Sequence, residues 1–124
     1  MGFVIITNND MVYNKYKDEY SVEFYDCSIK EIMIKVRDKV HEGFKMLTHP
    51  LSSSIKPNES LFKSIIISDN KDILDYDSLI IIENGIITCD KFNKIKYNIV
   101  YTDKIIDDFK LIDLTVLESA LNRI

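Results

Sequence analysis

The sequence is poor in the residue types on which many familiar sites depend. Its 124 residues include three Gly, two Pro, two Cys, two His and no Trp. Three scattered glycines cannot build a glycine-rich phosphate loop, which excludes the dinucleotide-binding fingerprint and the Walker loop. Two cysteines make neither a disulfide framework nor a four-ligand zinc site. We therefore expect no cofactor, no metal site and a reducing, cytoplasmic location.

Charge and hydropathy exclude two further classes of protein. Sixteen basic and twenty acidic residues leave a net charge of −4, unlike the basic surface of a nucleic-acid-binding domain. No apolar run approaches the roughly 20 residues of a membrane-spanning helix. The short run at residues 3–6 lacks the basic flank of a signal peptide. We expect one soluble domain over residues 1–124, with no nucleic-acid or membrane partner, because a chain of this length can bury its own core.

Short apolar runs and helical periodicities alternate along the chain, and they predict strands and helices respectively. The predicted strands are 3–7, 21–25, 44–48 and 64–68, with a further short edge strand at 97–101. The predicted helices are 11–17, 28–43, 77–96 and a closing helix from residue 103 that is interrupted near Asp113. This alternation predicts an α/β fold. Right-handed crossovers then favour a three-layer, Rossmann-like fold with a mostly parallel sheet of four to five strands in the order 2-1-3-4.

Local motifs define the second helix and leave two alternatives for the third. Ser28 begins a capping-box pattern at the start of the second helix, and Gly43 supplies a left-handed stop at its end. Between residues 77 and 96, the Asn84-Gly85 pair is a strong hairpin signal. The apolar residues of the same segment recur at helical spacing. We predict a helix, because the preceding strand of a parallel sheet needs a covering element, and we keep the hairpin as the alternative.

Polar residues follow two of the predicted strands. In open parallel sheets, ligands bind beyond the carboxyl ends of the strands, where the winding reverses. The order 2-1-3-4 puts that point between the ends of the first and third strands, and a long polar loop leaves the same edge. The candidate ligand-binding residues are Thr7, Asn8, Asn9, Thr48, His49, Ser52, Ser53, Ser54, Lys56, Asn58 and Glu59. Such hydroxyls and amides favour a small polar or anionic ligand, with Lys56 as the nearby cation, although they are also ordinary loop and capping residues.

Two side chains at this edge are candidates for catalysis. His49 is a candidate acid or base, but spacing places no carboxylate or serine beside it, so a hydrogen-bonded structural role is the simpler interpretation. Cys27 precedes the second helix, whose positive end would lower the thiol pKa, yet no partner cysteine accompanies it. Cys89 lies on an apolar stripe and is expected in the core. The sequence leaves open whether the protein is an enzyme, and it favours binding over catalysis.

Several segments resemble the GrdX family. They are ITNN (6–9), VRD (36–38), HEG (41–43), LTHPLS (47–52), SIKPNE (54–59), KSIIIS (63–68), DSL (77–79) and IEN (82–84). The resemblance covers most of residues 3–92, and THPLS followed by KPNE is its most specific part. It implies an accessory protein encoded beside the glycine, sarcosine or betaine reductase systems of amino-acid-fermenting bacteria. It implies no established activity and no catalytic residues.

These observations support function hypotheses of three classes. The first is an accessory protein whose polar edge binds a small polar or anionic ligand or a glycine reductase component. The second is a structural or interaction module that forms a homodimer through its C-terminal helix. The third is a small enzyme that uses His49 or Cys27. We rank them in this order.

Overall fold

The computed structural model describes residues 2–51, 61–94 and 100–124. In these ranges the chain forms a three-stranded sheet and four helices. The strands are β1 (Phe3–Thr7), β2 (Ser21–Phe24) and β3 (Ser64–Ser68), and the helices are α1 (Asp10–Tyr16), α2 (Ile29–His41), α3 (Tyr76–Asn93) and α4 (Asp103–Leu121). The sheet is mixed, because β1 is parallel to β2 and antiparallel to β3. Most of the predicted edge strand 97–101 and the polar loop 52–60 lie outside the described residues.

The predicted Rossmann-like fold is wrong in the number, direction and order of its strands. The described residues form three strands in the order β2-β1-β3, not four or five mostly parallel strands in the order 2-1-3-4. The segment placed beside β1 is Ser64–Ser68, whose three consecutive isoleucines are 0–1% exposed. A continuous apolar run of this kind fits a strand that is covered on both faces. The most apolar segment therefore takes the position that the sequence pattern assigned to 44–48.

The predicted third strand, 44–48, is an edge segment instead of a full strand. Met46 forms one isolated antiparallel bridge with Ile67. The Leu47 amide donates to the Ile66 carbonyl at 2.8 Å. This segment therefore runs in the same direction as β1, but β3 lies between the two.

Hydroxyl groups explain why pairing in this edge segment stops early. The Met46 amide donates to Ser78 Oγ of α3 at 3.0 Å. The Ile66 amide donates to Thr48 Oγ1 at 3.0 Å. The Thr48 hydroxyl therefore takes the place of the next backbone acceptor of the ladder, whereas the Met46 amide faces away from β3. Segment 44–48 consequently does not develop a regular strand.

Helices cover both faces of the sheet. One core cluster joins α2 and α3 to the face that carries Ile65 and Ile67, and a second joins α1 and α4 to the face that carries Ile66. Successive strand residues point to opposite faces, which accounts for this division. The larger cluster comprises Ile6, Ile29, Ile32, Met33, Val36, Val40, Met46, Ile65, Ile67, Ile82, Ile86 and Cys89. β3 therefore contributes to both cores.

The predicted ends of α2 are confirmed. Ser28 is the N-cap, and its hydroxyl accepts from the Glu31 amide at 3.2 Å. At the other end Gly43 has φ 107°. The Gly43 amide donates to the Val40 carbonyl at 3.0 Å, and the next amide donates to the Lys39 carbonyl at 3.1 Å. This is the pair of bonds that defines a Schellman motif.

We expect Gly43→Ala to lower the free energy of unfolding by about 1–2 kcal/mol, because a positive φ is strained for any residue with a Cβ. The added Cβ would also lie 2.3 Å from the Asp72 carbonyl oxygen, so the backbone has to shift. Urea unfolding monitored by circular dichroism measures the change, with the exposed neighbour Glu42→Ala as the control. Equal stability of the two variants would contradict this prediction.

The helix prediction for 77–96 is confirmed by α3, which covers Tyr76–Asn93. Its N-cap is Asp75, whose carboxylate accepts from the Ser78 amide at 3.1 Å. Gly85 is buried within the helix, where an added Cβ would lie 3.1 Å from Pro50 Cγ. A small residue at this position lets Pro50 pack directly against the helix, which gives the glycine a role in packing instead of a turn.

Candidate functional site

The carboxyl end of β1 meets the beginning of β3, because the two strands are antiparallel. Thr7 pairs with Ser64 at this edge. The edge holds an unusual concentration of buried polar side chains, which are Thr7, Asn8, Asn9, Lys63 and Asp113. The predicted reversal of winding between β1 and 44–48 is absent, because β3 separates these segments. The candidate site therefore has to be built from the β1–β3 edge.

Hydrogen bonds to Asp113 tie α4 to this edge. The carboxylate accepts from the Ser64 amide at 3.0 Å, from the Ser64 hydroxyl at 2.7 Å and from Asn9 Nδ2 at 3.1 Å. Thr7 Oγ1 extends the network, since it lies 2.7 Å from Ser64 Oγ and accepts from the Asn9 amide at 2.9 Å. α4 continues through Asp113, so the predicted interruption there is wrong.

The electrostatics of Asp113 combine opposing effects. Burial raises the pKa of the carboxyl group, while the donors from Ser64 and Asn9 and the charge of Lys63 act to lower it. Burial is the largest of these effects, so the pKa of the Asp113 carboxyl group is raised overall. The three hydrogen bonds that the carboxyl group forms with Ser64 and Asn9 hold α4 on the sheet edge.

Asn8 connects the end of β1 to two neighbouring segments. Its Nδ2 donates to the Cys27 carbonyl at 2.8 Å and to the Leu61 carbonyl at 2.9 Å, and its Oδ1 accepts from the Lys63 amide at 2.9 Å. The side chain of Asn9 also forms hydrogen bonds within the protein, since it caps α1 and donates to a backbone carbonyl of α4. Of the predicted ligand-binding residues, Thr7, Asn8 and Asn9 therefore lie together at the edge and bond the protein itself.

Lys63 differs from these residues because no acceptor among the described residues contacts its ammonium group. The residue is only 8% exposed. Its ammonium group has no hydrogen-bond or ion-pair partner in the part of the chain that the structure describes. Burial lowers the pKa of Lys63, and the charge of Asp113 opposes this effect from beyond hydrogen-bond distance. A buried ammonium without an acceptor is costly, so it requires an explanation.

Lys63 is not among the site residues predicted from the sequence, where Lys56 is the nearby cation. A signal for it exists in the strand pattern. Residues of one strand face point the same way at every second position, and Ile65 and Ile67 are core residues on the α2–α3 side. Continuing the alternation backward places Lys63 on that same buried side, beside Cys89 of α3.

Thr48 and His49 lie away from the Thr7–Asn9 cluster, on the far side of β3. The hydroxyl of Thr48 bonds the Ile66 amide, and His49 Nδ1 accepts from the Leu51 amide at 3.0 Å. Both residues line a cavity of about 500 Å³ against the C-terminal half of α4. The remaining predicted site residues lie outside the described residues; they are Ser52, Ser53, Ser54, Lys56, Asn58 and Glu59.

The surroundings of Cys27 do not activate its thiol. The residue is half-buried, and burial raises the pKa of the thiol. Glu31 and Asp26 raise it further, and Lys35 opposes them. This direction is opposite to the one expected from the nearby end of α2. Catalysis by Cys27 or His49 stays a prediction, and so does dimerisation through α4, which packs Leu114 and Leu117 into the core.

Residues 2–51, 61–94 and 100–124 contain no helix with the length and apolar character needed to cross a membrane. The same ranges contain no group of three or more His, Cys, Asp or Glu residues placed to hold a metal ion.

Comparison with known proteins relates the chain to one family. A family model described as GrdX-like protein matches residues 4–122, a range that includes all but the first residue of β1 and the whole of every other strand and helix in the described residues. No curated protein and no solved structure gives a significant match. Because the family match covers nearly the whole sequence, the chain belongs to the GrdX-like protein family.

Proposed function

We propose that this GrdX-like chain is an accessory protein of glycine, sarcosine or betaine reductase metabolism that binds a small anionic ligand. The binding site is the sheet edge where β1 ends and β3 begins. Family membership supports the metabolic context. The observation that carries the binding proposal is the buried ammonium group of Lys63, which has no acceptor among the described residues.

The free energy of a buried cation explains why an anion is the ligand. An ammonium group that leaves water without gaining hydrogen bonds pays a desolvation cost of several kcal/mol. Asp113 compensates part of the charge of Lys63 at a distance, but it supplies no hydrogen bond to the ammonium. A carboxylate or phosphate oxygen would provide both the charge and the acceptor.

The backbone around Lys63 is held in place, which favours binding with little reorganisation. The Lys63 amide donates to Asn8 Oδ1 at 2.9 Å, and its carbonyl accepts from the Asn8 amide at 3.4 Å. The adjacent Ser64 is bonded to Asp113 of α4. Sites whose supporting groups are already fixed lose less conformational entropy on binding.

Thermal unfolding with added ligands tests the proposal. The purified protein is titrated separately with glycine, betaine, acetyl phosphate and inorganic phosphate. We expect at least one of them to stabilise the protein by about 2.7 kcal/mol at a hundredfold excess over its Kd. Lys63→Met should abolish this stabilisation because it keeps an unbranched side chain of similar volume and removes the charge.

Lys45→Met is the matched control, since Lys45 is an exposed lysine on the edge segment beside β3. Its response to the ligand should equal that of the parent protein. Stabilisation that persists in Lys63→Met would contradict the proposed site. If none of the four compounds stabilises the parent protein, the small-ligand proposal fails and a reductase component becomes the alternative ligand of this edge.

A further inference from the structure

A groove runs from the space between the edge segment 47–49 and the C-terminal half of α4 to the start of β1 and the end of β3. It comprises two cavities of about 500 and 630 Å³ that share Leu47, Arg123 and Ile124. Each volume falls in the range of roughly 300–1,000 Å³ that is typical of small-molecule sites. The groove contains none of the residues of the Lys63 edge, so it is an independent feature of the molecule.

One wall of the groove is apolar. Leu47 is 40% exposed and Ile124 is 47% exposed. Val116 and Ala120 continue this surface in the first cavity, and Phe3 continues it in the second. These side chains can remove the apolar part of a ligand from water, and such burial contributes about 25 cal/mol per Å².

Arg123 is the charged side chain that both cavities share. Its guanidinium forms no ion pair in the part of the chain that the structure describes, whereas the only other arginine, Arg37, lies 3.5 Å from Glu83. A guanidinium presents a rigid fork of donors that matches a carboxylate or sulfonate. Arg123 is therefore placed to bind an anionic head group.

His49 adds a donor with a defined orientation. Its Nδ1 accepts from the Leu51 amide at 3.0 Å, so the proton of the neutral ring is on Nε2. Nε2–H is then the nitrogen left for a ligand. Thr48 and Ser119 place hydroxyl groups in the same cavity. Asp69 lies in the other cavity, where it disfavours a second negative charge.

We infer that this groove binds an organic monoanion with an apolar body. The anionic head lies against Arg123 and His49, and the apolar body lies against Leu47, Phe3 and Ile124. An inorganic anion would leave the apolar wall unused, and a dianion would place its second charge toward Asp69. The inference is independent of the small-anion function proposed for the Lys63 edge.

Fluorescence titration with anilinonaphthalene sulfonate tests this inference, because this probe combines one anionic group with an apolar body. We expect saturable binding to the folded protein and displacement of the probe by octanoate but not by octanol. Arg123→Gln should weaken binding about tenfold or more, as expected for the loss of a charge-assisted hydrogen bond. Arg37→Gln is the matched control and should bind as the parent does.

Lys63→Met should also leave probe binding unchanged, which separates this groove from the edge site. Arg123 follows the carbonyl end of α4, where a cation also stabilises the helix, so the circular dichroism of each variant is measured at the same time. If Arg123→Gln does not fold, His49→Gln replaces it, with an expected loss of several-fold. Equal affinity in Arg123→Gln and Arg37→Gln, or displacement by octanol as strong as by octanoate, would overturn the inference.

Discussion

Asp113→Ala is expected to lower the free energy of unfolding by about 3–5 kcal/mol, because it removes the acceptor of three buried hydrogen bonds. The substitution leaves three donors without their acceptor, which are the Ser64 amide, the Ser64 hydroxyl and Asn9 Nδ2. Each unsatisfied buried donor costs about 1–3 kcal/mol. The variant also removes the negative charge that opposes the burial cost of Lys63.

Two further variants identify the source of this loss. Asp107→Ala changes an exposed carboxylate of the same helix and should cost less than about 0.5 kcal/mol. Asp113→Asn keeps the volume but brings a donating amide toward groups that already donate, so most of the loss should remain. Urea unfolding at neutral pH measures all three. A loss below about 1 kcal/mol for Asp113→Ala would show that the hydrogen bonds to Asp113 do not hold α4 on the sheet.

The helices were predictable because their signals are local. Ser28 and Gly43 cap α2 through groups within five residues of each end, so the sequence pattern contains the whole interaction. The helical apolar spacing of α3 also outweighed the Asn84-Gly85 hairpin signal. The sequence could not show why a glycine occupies position 85. The reason is the close contact with Pro50, which is distant in sequence and adjacent in the fold.

The strand order was not predictable in the same way because it results from competition between segments. Both 44–48 and 64–68 have strand-like patterns, and only one of them can lie beside β1. The alternate residues Lys45 and Leu47 are exposed, whereas Ile65, Ile66 and Ile67 are all buried. Segment 64–68 therefore buries more apolar surface than 44–48 would in a position that is covered on both faces. Its antiparallel direction then moves the candidate site to the β1–β3 edge.

The location of three candidate residues was predictable, whereas ligand binding by them stays a prediction. Thr7, Asn8 and Asn9 do lie at one polar edge, because a polar segment directly after a buried strand has to emerge there. Their hydrogen-bond partners, such as Asp113, are remote in sequence, so their structural use could not be foreseen. Lys63 was not predicted for a related reason: a lysine is normally exposed, and only its position in the folded protein makes this one buried.

Lys63→Met is expected to raise the free energy of unfolding by about 2–3 kcal/mol at neutral pH in the absence of ligand. Replacing a buried charge that lacks good partners by an apolar side chain of similar volume is often stabilising. A residue that lowers stability while it supports binding is typical of a functional site. A purely structural role for the pair of Lys63 and Asp113 predicts the opposite sign, so the direction of the change distinguishes the two roles.

The pH dependence provides a second test of the same variant. Burial lowers the pKa of Lys63 in the folded protein below its ordinary value of 10.5. Between these two pKa values the unfolded chain binds a proton that the folded protein does not, so the stability of the parent protein rises with pH across this interval. Below the folded-state pKa of Lys63, the lysine is charged in both the folded and the unfolded protein. The folded protein then bears the full cost of burying the charge, so the stability gained at higher pH is lost.

The advantage of Lys63→Met should therefore be greatest at neutral pH and shrink as the pH approaches 10.5. Urea unfolding of the parent, Lys63→Met and Lys45→Met at several pH values measures this difference. Lys45→Met should remain within about 0.5 kcal/mol of the parent throughout. Destabilisation by Lys63→Met at neutral pH would contradict a binding role for the uncompensated charge. It would show that the ammonium serves the fold through Asp113.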